Sequence, residues 1–283
     1  MKIFTTKKDL KDCLSVLKLK KETIGFVPTM GALHEGHLSL IKKAKQKTTV
    51  VVVSIFVNPT QFDKKEDLLK YPKTFDNDTK LLESVGCDVL FFPSVDEIYS
   101  GNVVSEKFNF DGLEHQMEGK FRAGHFDGVG TVVKALFNIV APDKAFFGQK
   151  DFQQLQIIKK LVKKQRLNVK IKGCAIYRDQ DGLAMSSRNT RLNDTQRIAA
   201  PFIYKTLKKV RKKFGTESAV KITAWVENQF KNHPSLKLEY FTIADEKSLK
   251  TIETKESDKK YRAFIAVFAG DIRLIDNIRL KHN

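Results

Sequence analysis

The sequence predicts an α/β protein: a parallel-sheet domain followed by a smaller α+β domain. Two patterns predict it. Over residues 1–175, short β-branched or aromatic runs alternate with longer amphipathic runs, as strands and crossover helices do in a parallel sheet. After about Ala184 the order changes to two helical stretches followed by three strand-like runs, the segregated arrangement of an α+β unit. A chain of 283 residues has room for both.

In chain order, strands are expected at Thr23–Val27, Thr49–Val57, Asp88–Phe92, Lys144–Phe147 and Asn168–Cys174. Helices are expected near His37–Gln46, Phe75–Val85, Val129–Val140 and Phe152–Gln165. Val129, Val132, Val133, Leu136, Phe137 and Val140 share one apolar helix face, and Pro142 ends that run. Beyond Ala184 the expected helices are Asp194–Phe214 and Ser218–Lys231, and the expected strands are Lys237–Ile243, Arg262–Phe268 and Ile272–Asp276. Asp245–Lys260, rich in Lys, Glu, Ser and Thr, reads as a polar connection or a short exposed helix. The domain boundary is expected near residues 180–192.

Composition narrows the class. With 41% apolar and 30% charged residues, 15 Gly and 7 Pro, the chain is neither collagen-like nor disordered. Its longest apolar stretch, Val50–Val57, is far short of the roughly 20 residues that span a bilayer, and Met1–Lys8 shows no export signal. A cytoplasmic protein without membrane partners is expected. Cys13, Cys87 and Cys174 are far apart and lack a CxxC spacing, which suits buried thiols better than disulfides or a zinc site. The net charge of +18 divides into +10 over residues 1–200 and +8 over residues 201–283. Lysine pairs at 42–43, 64–65, 159–160, 163–164, 208–209, 212–213 and 259–260 disperse it further. That dispersal fits a solvated basic surface better than a nucleic-acid site, and its positive field favours anionic substrates.

The chemistry concentrates where predicted strands give way to helices. Pro28-Thr-Met30-Gly31-Ala32-Leu33-His34-Glu35-Gly36-His37 follows a strand and opens a helix, the place where an open parallel sheet presents ligands. His34 and His37 are three apart, and both imidazoles can face a phosphate near a helix N-terminus. The spacing is not HExxH, so no metal ligand set is expected. Gln61 follows the second strand and Asn58-Pro59, offering a neutral amide that can hold hydroxyls or a carboxylate without a strong ion pair. Gly148-Gln149-Lys150-Asp151 repeats the strand, glycine turn and helix pattern, with Gln154 one turn further on. Met185-Ser186-Ser187-Arg188 offers two hydroxyls and a guanidinium to a polyphosphate; the rival reading is a helix-capping serine pair beside a surface arginine.

With these segments in hand, the sequence resembles the pantoate-β-alanine ligase (pantothenate synthetase) family of the HxGH nucleotidyltransferase-like group. The resemblance rests on His34-Glu-Gly-His37, Phe56-Val-Asn-Pro-Thr-Gln61-Phe62, Tyr71-Pro72, the run from Gly124 to Val133, Phe147–Leu155 and Asp181–Asn189, in the family's order from about residue 3 to the C-terminus. It implies a Rossmann-like ATP- and pantoate-binding domain over residues 1–184 and a smaller α+β lid domain over residues 185–283. It also implies a ligase that condenses pantoate with β-alanine through a pantoyl adenylate, releasing AMP and pyrophosphate. His37, His34 and Lys150 would be catalytic. Met30 to His37, Gly148 to Asp151, Tyr177 and Met185 to Arg188 would bind ATP, which would arrive with Mg2+ as a substrate, with no prosthetic group. Gln61 and Gln154 would hold pantoate, Gln61 would also meet β-alanine, and the chain would be a homodimer. Gln149, Thr60 and Lys73 depart from the usual family residues: the first two departures remove no reacting group, and at Lys73, where the family usually has Arg, any bidentate contact would become a point-charge contact.

Two other readings stay open on the sequence. One is an HxGH nucleotidylyltransferase that moves AMP or CMP to a phosphorylated acceptor, against which the Gln61 and Gln154 amides argue. The other is a basic nucleic-acid-binding protein, against which the dispersed charge argues.

Overall fold

The computed structural model describes residues 1–62, 68–69 and 71–281; the lysine pair at 64–65 lies outside them. The chain forms two compact units, one of Met1–Gln149 with Gln153–Ala175 and one of Lys150–Phe152 with Ile176–Asn283.

Among the described residues of the first unit, β1 (Lys2–Phe4), β2 (Ile24–Thr29), β3 (Val50–Ile55), β4 (Val89–Phe91), β5 (Lys144–Gly148) and β6 (Lys170–Cys174) build one sheet. Its order is β1-β4-β3-β2-β5-β6 and every pair is parallel. β3, Val-Val-Val-Val-Ser-Ile, is buried at every position, as a central strand in a sheet covered on both faces must be. From β2 the chain moves outward through β3 and β4, then resumes on the other side with β5 and β6. The reversal lies between β2 and β5, so the segments leaving these two strands border the crevice that a doubly wound sheet opens at its carboxyl edge. The helices are α1 (Lys7–Leu19), α2 (Glu35–Lys45), α3 (Phe75–Ser84), α4 (Val95–Tyr99), α5 (Met117–Phe121), α6 (His125–Val140) and α7 (Phe152–Lys164). Val27, Ile41, Val51, Leu82, Leu90 and Phe146 belong to one buried cluster, so α2 and α3 are held to the sheet by their apolar stripes.

The second unit carries α8 (Asp194–Ala199), α9 (Phe202–Lys213) and α10 (Ala219–Lys231), then β7 (Lys237–Asp245), β8 (Tyr261–Ala269) and β9 (Ile272–Leu280). The three strands form an antiparallel sheet in the order β7-β8-β9. Leu207, Val210, Phe214, Ile222, Val226 and Ile265 lie in its core. The α/β class with a second, smaller α+β unit is therefore as the sequence predicts.

Several boundaries differ from expectation. The single helix expected over Asp194–Phe214 is two helices broken at Ala200–Pro201, because proline lacks an N–H and its ring crowds the preceding turn. α6 begins at His125 rather than Val129, its N-cap being left-handed Gly124 (φ +76°). β9 runs past Asp276 to Leu280. β1 and α1 are not among the elements the sequence predicts, since β1 has only three residues and α1 buries only Leu10 and Leu14. Among the described residues no helix is long and apolar enough to cross a membrane.

Candidate active site

The segment leaving β2 is built around an unusual turn. The buried Thr29 hydroxyl donates to the Ser54 carbonyl at 2.8 Å and accepts from the Gly31 N–H at 3.2 Å. Two consecutive left-handed residues follow, Gly31 (φ +82°) and Ala32 (φ +49°). Alanine resists that conformation by roughly 1–2 kcal/mol, so the turn needs an external hold. Asp78 on α3 supplies it: its carboxylate accepts from Ala32 N–H at 2.9 Å and Leu33 N–H at 2.8 Å, and the Thr74 hydroxyl donates to it at 3.1 Å. Asp78 is only 1% exposed. A Cβ on Gly31 would stand 3.1 Å from both Asp78 Oδ2 and Ile55 Cγ2, so fit as well as φ requires glycine.

This turn delivers His34 to the N-cap of α2. His34 Nδ1 accepts from the Gly36 N–H at 3.1 Å, which leaves Nε2 as the protonated nitrogen of the neutral ring. The rings of His34 and His37 lie 4.1 Å apart between centroids, tilted by 32°. Glu35 in the first turn and Lys42, Lys43 and Lys45 in the last complement the helix dipole. The expected pairing of two imidazoles at a helix N-terminus is thus present.

Beside it stands the amide. Gln61 ends a short 3-10 turn, Pro59–Gln61, that follows β3. Its Nε2 donates to Met30 Sδ at 2.8 Å and its Oε1 accepts from Asn58 Nδ2 at 3.2 Å. Asn58, 1% exposed, also donates to the Gly128 carbonyl at 3.1 Å and accepts from the Tyr99 hydroxyl at 2.5 Å. The Gln61 carbonyl meets Arg122 Nη2 at 3.1 Å and His125 Nδ1 at 3.0 Å. The turn also lies against α6: a Cβ on Gly128 would fall 2.4 Å from the Thr60 carbonyl oxygen. Met30, Gln61, His34 and His37 therefore belong to adjacent connections from neighbouring strands of one unit.

Gly148 closes β5, and Gln149–Asp151 form a 3-10 turn before α7. Gln153 and Gln154 are adjacent on α7 with different surroundings. Gln153, 3% exposed, is locked to the carbonyls of Leu113 and Gln116 at 2.8 Å each and to the Glu118 N–H at 2.9 Å. Gln154 is only half-buried, with its amide outside that lock.

The second unit holds the other expected nucleotide residues. Lys150 Nζ is 3.9 Å from Asp151 Oδ1. Tyr177 and Met185 face each other across a small hairpin, Met185 N–H donating to the Tyr177 carbonyl at 3.0 Å. Ser186 caps the 3-10 helix Ser187–Arg191, its hydroxyl accepting from Arg188 N–H at 3.3 Å, so its capping role is real. Arg178, inside that hairpin, pairs with buried Asp276 at 2.6 and 2.9 Å and lies 3.7 Å from the Tyr204 ring centroid. Burial, the larger influence, pushes the Asp276 carboxyl above its usual range, and the guanidinium pulls it back.

Asp78, Asn58 and His125 in the first unit, and the Arg178–Asp276 pair in the second, each hold candidate residues of their own unit and were missed by sequence reasoning. Asp78 had a signal: with Phe75 and Leu82 it falls on the apolar stripe of α3, where an acid has no place unless it is hydrogen-bonded. Asp276 had the same one, since it alternates with Ile272, Leu274 and Ile278 on the inward face of β9.

The chain is similar to known proteins over its whole length. The family model described as pantoate-beta-alanine ligase matches residues 2–279. The pantothenate synthetase of Christiangramia forsetii is 56% identical over 283 residues, covering 100% of both chains. That of Bacteroides fragilis is 46% identical, again with 100% of both chains covered. Among solved structures, pantothenate synthetase from Thermus thermophilus superposes with a TM-score of 0.91 at 36% identity, covering 98% of this chain and 99% of that one. The pantoate-beta-alanine ligase of Francisella tularensis, complexed with beta-gamma ATP and beta-alanine, gives a TM-score of 0.82 at 38% identity, with 99% and 97% covered. The chain belongs to the pantoate-beta-alanine ligase family.

Proposed function

We propose that the protein condenses pantoate with β-alanine at the expense of ATP. A pantoate carboxylate oxygen attacks the α-phosphorus, the bond to the bridging oxygen of pyrophosphate breaks, and pantoyl adenylate forms. The β-alanine amine then attacks the acyl carbon, AMP leaves, and the amine proton passes to solvent. The observation that carries this reading is the juxtaposition, in one unit, of a tethered neutral amide at Gln61 with the His34/His37 pair at the N-terminus of α2. A neutral amide orients a hydroxy acid without neutralising the carboxylate that must attack.

His34, His37, Lys150, Ser186, Ser187 and Arg188 are assigned to the phosphates, where they offset charge as pyrophosphate departs. Met30 to His37, Gly148 to Asp151, Tyr177 and Met185 are assigned to the nucleotide, Gln61 and Gln154 to pantoate, and Gln61 to the β-alanine approach. Mg2+ is taken to arrive on the nucleotide, bound by its phosphate oxygens. Residues 185–283 are assigned as the lid that keeps water from the mixed anhydride. A cytoplasmic homodimer completes the reading. Its test is pantoate-dependent exchange of labelled pyrophosphate into ATP. Exchange that needs pantoate but not β-alanine supports the two-step order, and exchange indifferent to pantoate removes it.

A further inference from the structure

The second unit contains a buried polar network to which the steps above give no task. Asn277 on β9 is 2% exposed. Its Oδ1 accepts from Arg262 Nη1 at 2.6 Å, and its Nδ2 donates to the main-chain carbonyl of Lys150 at 2.8 Å, across 127 positions of sequence. Arg262 is itself held by Glu246 Oε1, at 3.0 Å from Nε and 2.8 Å from Nη2, and lies 4.0 Å from the Phe152 ring centroid. Next to Asn277, Asp276 grips Arg178, whose Nη2 also reaches the Asn277 carbonyl at 3.4 Å.

Buried ion pairs are poor sources of stability, since apolar side chains of equal volume usually serve as well. What such side chains cannot supply is direction. A guanidinium only donates and a carbonyl only accepts, so the side chain between Arg262 and the Lys150 carbonyl must accept at one end and donate at the other. A primary amide does both.

We propose that Asn277 is a positioning residue for Lys150: its Nδ2 fixes the lysine's carbonyl, and thereby the direction in which the ammonium leaves the backbone, while Arg262 orients the amide. The inference rests on the assignment of Lys150 to the nucleotide phosphates. Arg178 ties the hairpin of Tyr177 and Met185 to Asp276 and to the Asn277 carbonyl, so one strand sets the register of both nucleotide segments of this unit.

The test is Asn277→Asp, which keeps the acceptor for Arg262 but removes the donor. In pantoate-dependent ATP–pyrophosphate exchange, kcat is expected to fall about ten- to a hundredfold, the usual cost of a misplaced group, with pantoate KM unchanged. In a Lys150→Ala background the same substitution is expected to change the rate by less than about twofold, because two residues acting through one contact are not additive. Equal losses in both backgrounds, or a single variant as fast as wild type, would overturn the inference. Absence of exchange in the wild-type protein would instead overturn the reading of the reaction. Should Asn277→Asp fail to fold, Asn277→Ala, which also lacks the donor, is read in the same way, and if neither folds the residue is structural and the proposal falls.

Discussion

Replacing Asp78 by asparagine removes the hold on the turn that presents His34. The carboxylate serves two backbone N–H groups at 2.9 and 2.8 Å and the Thr74 hydroxyl at 3.1 Å, all in a nearly water-free position. An amide keeps one oxygen, so one N–H loses its acceptor and faces an NH2 group. A hydrogen bond to a charged acceptor contributes about 1.5–3 kcal/mol, and a buried donor left unsatisfied costs about 1–3 kcal/mol more. The combined loss of ~2.5–6 kcal/mol falls on the N–H groups of Ala32 and Leu33, and of these Ala32 has the left-handed backbone with the least reason to persist. If half of it reaches the transition state, exchange slows roughly thirtyfold, since 1.36 kcal/mol is a factor of ten. The assay is pantoate-dependent ATP–pyrophosphate exchange beside a thermal melt followed by circular dichroism, with Asp78→Glu as a charge-retaining control of intermediate activity. An Asp78→Asn protein with exchange within about twofold of wild type and an unchanged melt would refute the reasoning.

Gly128→Ala puts a methyl 2.4 Å from the Thr60 carbonyl oxygen and 3.0 Å from Gln61 Cα, both backbone atoms that cannot rotate away. Overpacking of this kind costs about 1–3 kcal/mol, and pantoate KM is expected to rise about tenfold while ATP KM holds; calorimetry showing equal loss of both ligands would contradict it. His37→Ala should slow adenylate formation in rapid quench far more than it lowers the melting temperature, and an unimpaired variant would exclude His37 from the reacting geometry. Burial pushes the Cys87 thiol up to about 12, against an unfolded thiol near 8.5, so the folded state resists ionisation. That contribution to stability is therefore intact below about pH 8.5 and is lost as pH rises above it. Ellman's reagent at about pH 8 should reach Cys87 only on unfolding, and rapid labelling in the native protein would count against the burial.

The fold was legible because its signals are local and redundant. A run such as Val50–Ile55 can only be a covered strand, and the valine spacing of α6 can only be a helix face. The ends of elements were less legible: nothing near Val129 announces that Gly124, by adopting φ +76°, lets the helix begin four residues early. In the site, His34, His37 and Gln61 stand where the chain leaves a strand, so position along the chain nearly equals position in the crevice. Asp78 and Asn277 do not. Each acts on a backbone atom far away in sequence, Asp78 on residues 45 and 46 positions away and Asn277 on one 127 positions away, and no spacing rule connects such partners. The trace of Asp78 in the sequence is a polar residue on an apolar stripe, which says that a partner exists without saying which, whereas Asn277 shares its face of β9 with Arg273, Ile275 and Arg279 and leaves no such trace.

Bonding of a pantoate carboxylate oxygen to the α-phosphorus is the central step, and isotope transfer tests it most directly. Pantoate labelled with oxygen-18 in its carboxylate is turned over with Mg-ATP and β-alanine, and the AMP is weighed by mass spectrometry. Each AMP is expected to carry one labelled oxygen, left on phosphorus when the amine displaces it from the acyl carbon. Unlabelled AMP, or ADP and phosphate as products, would contradict that step.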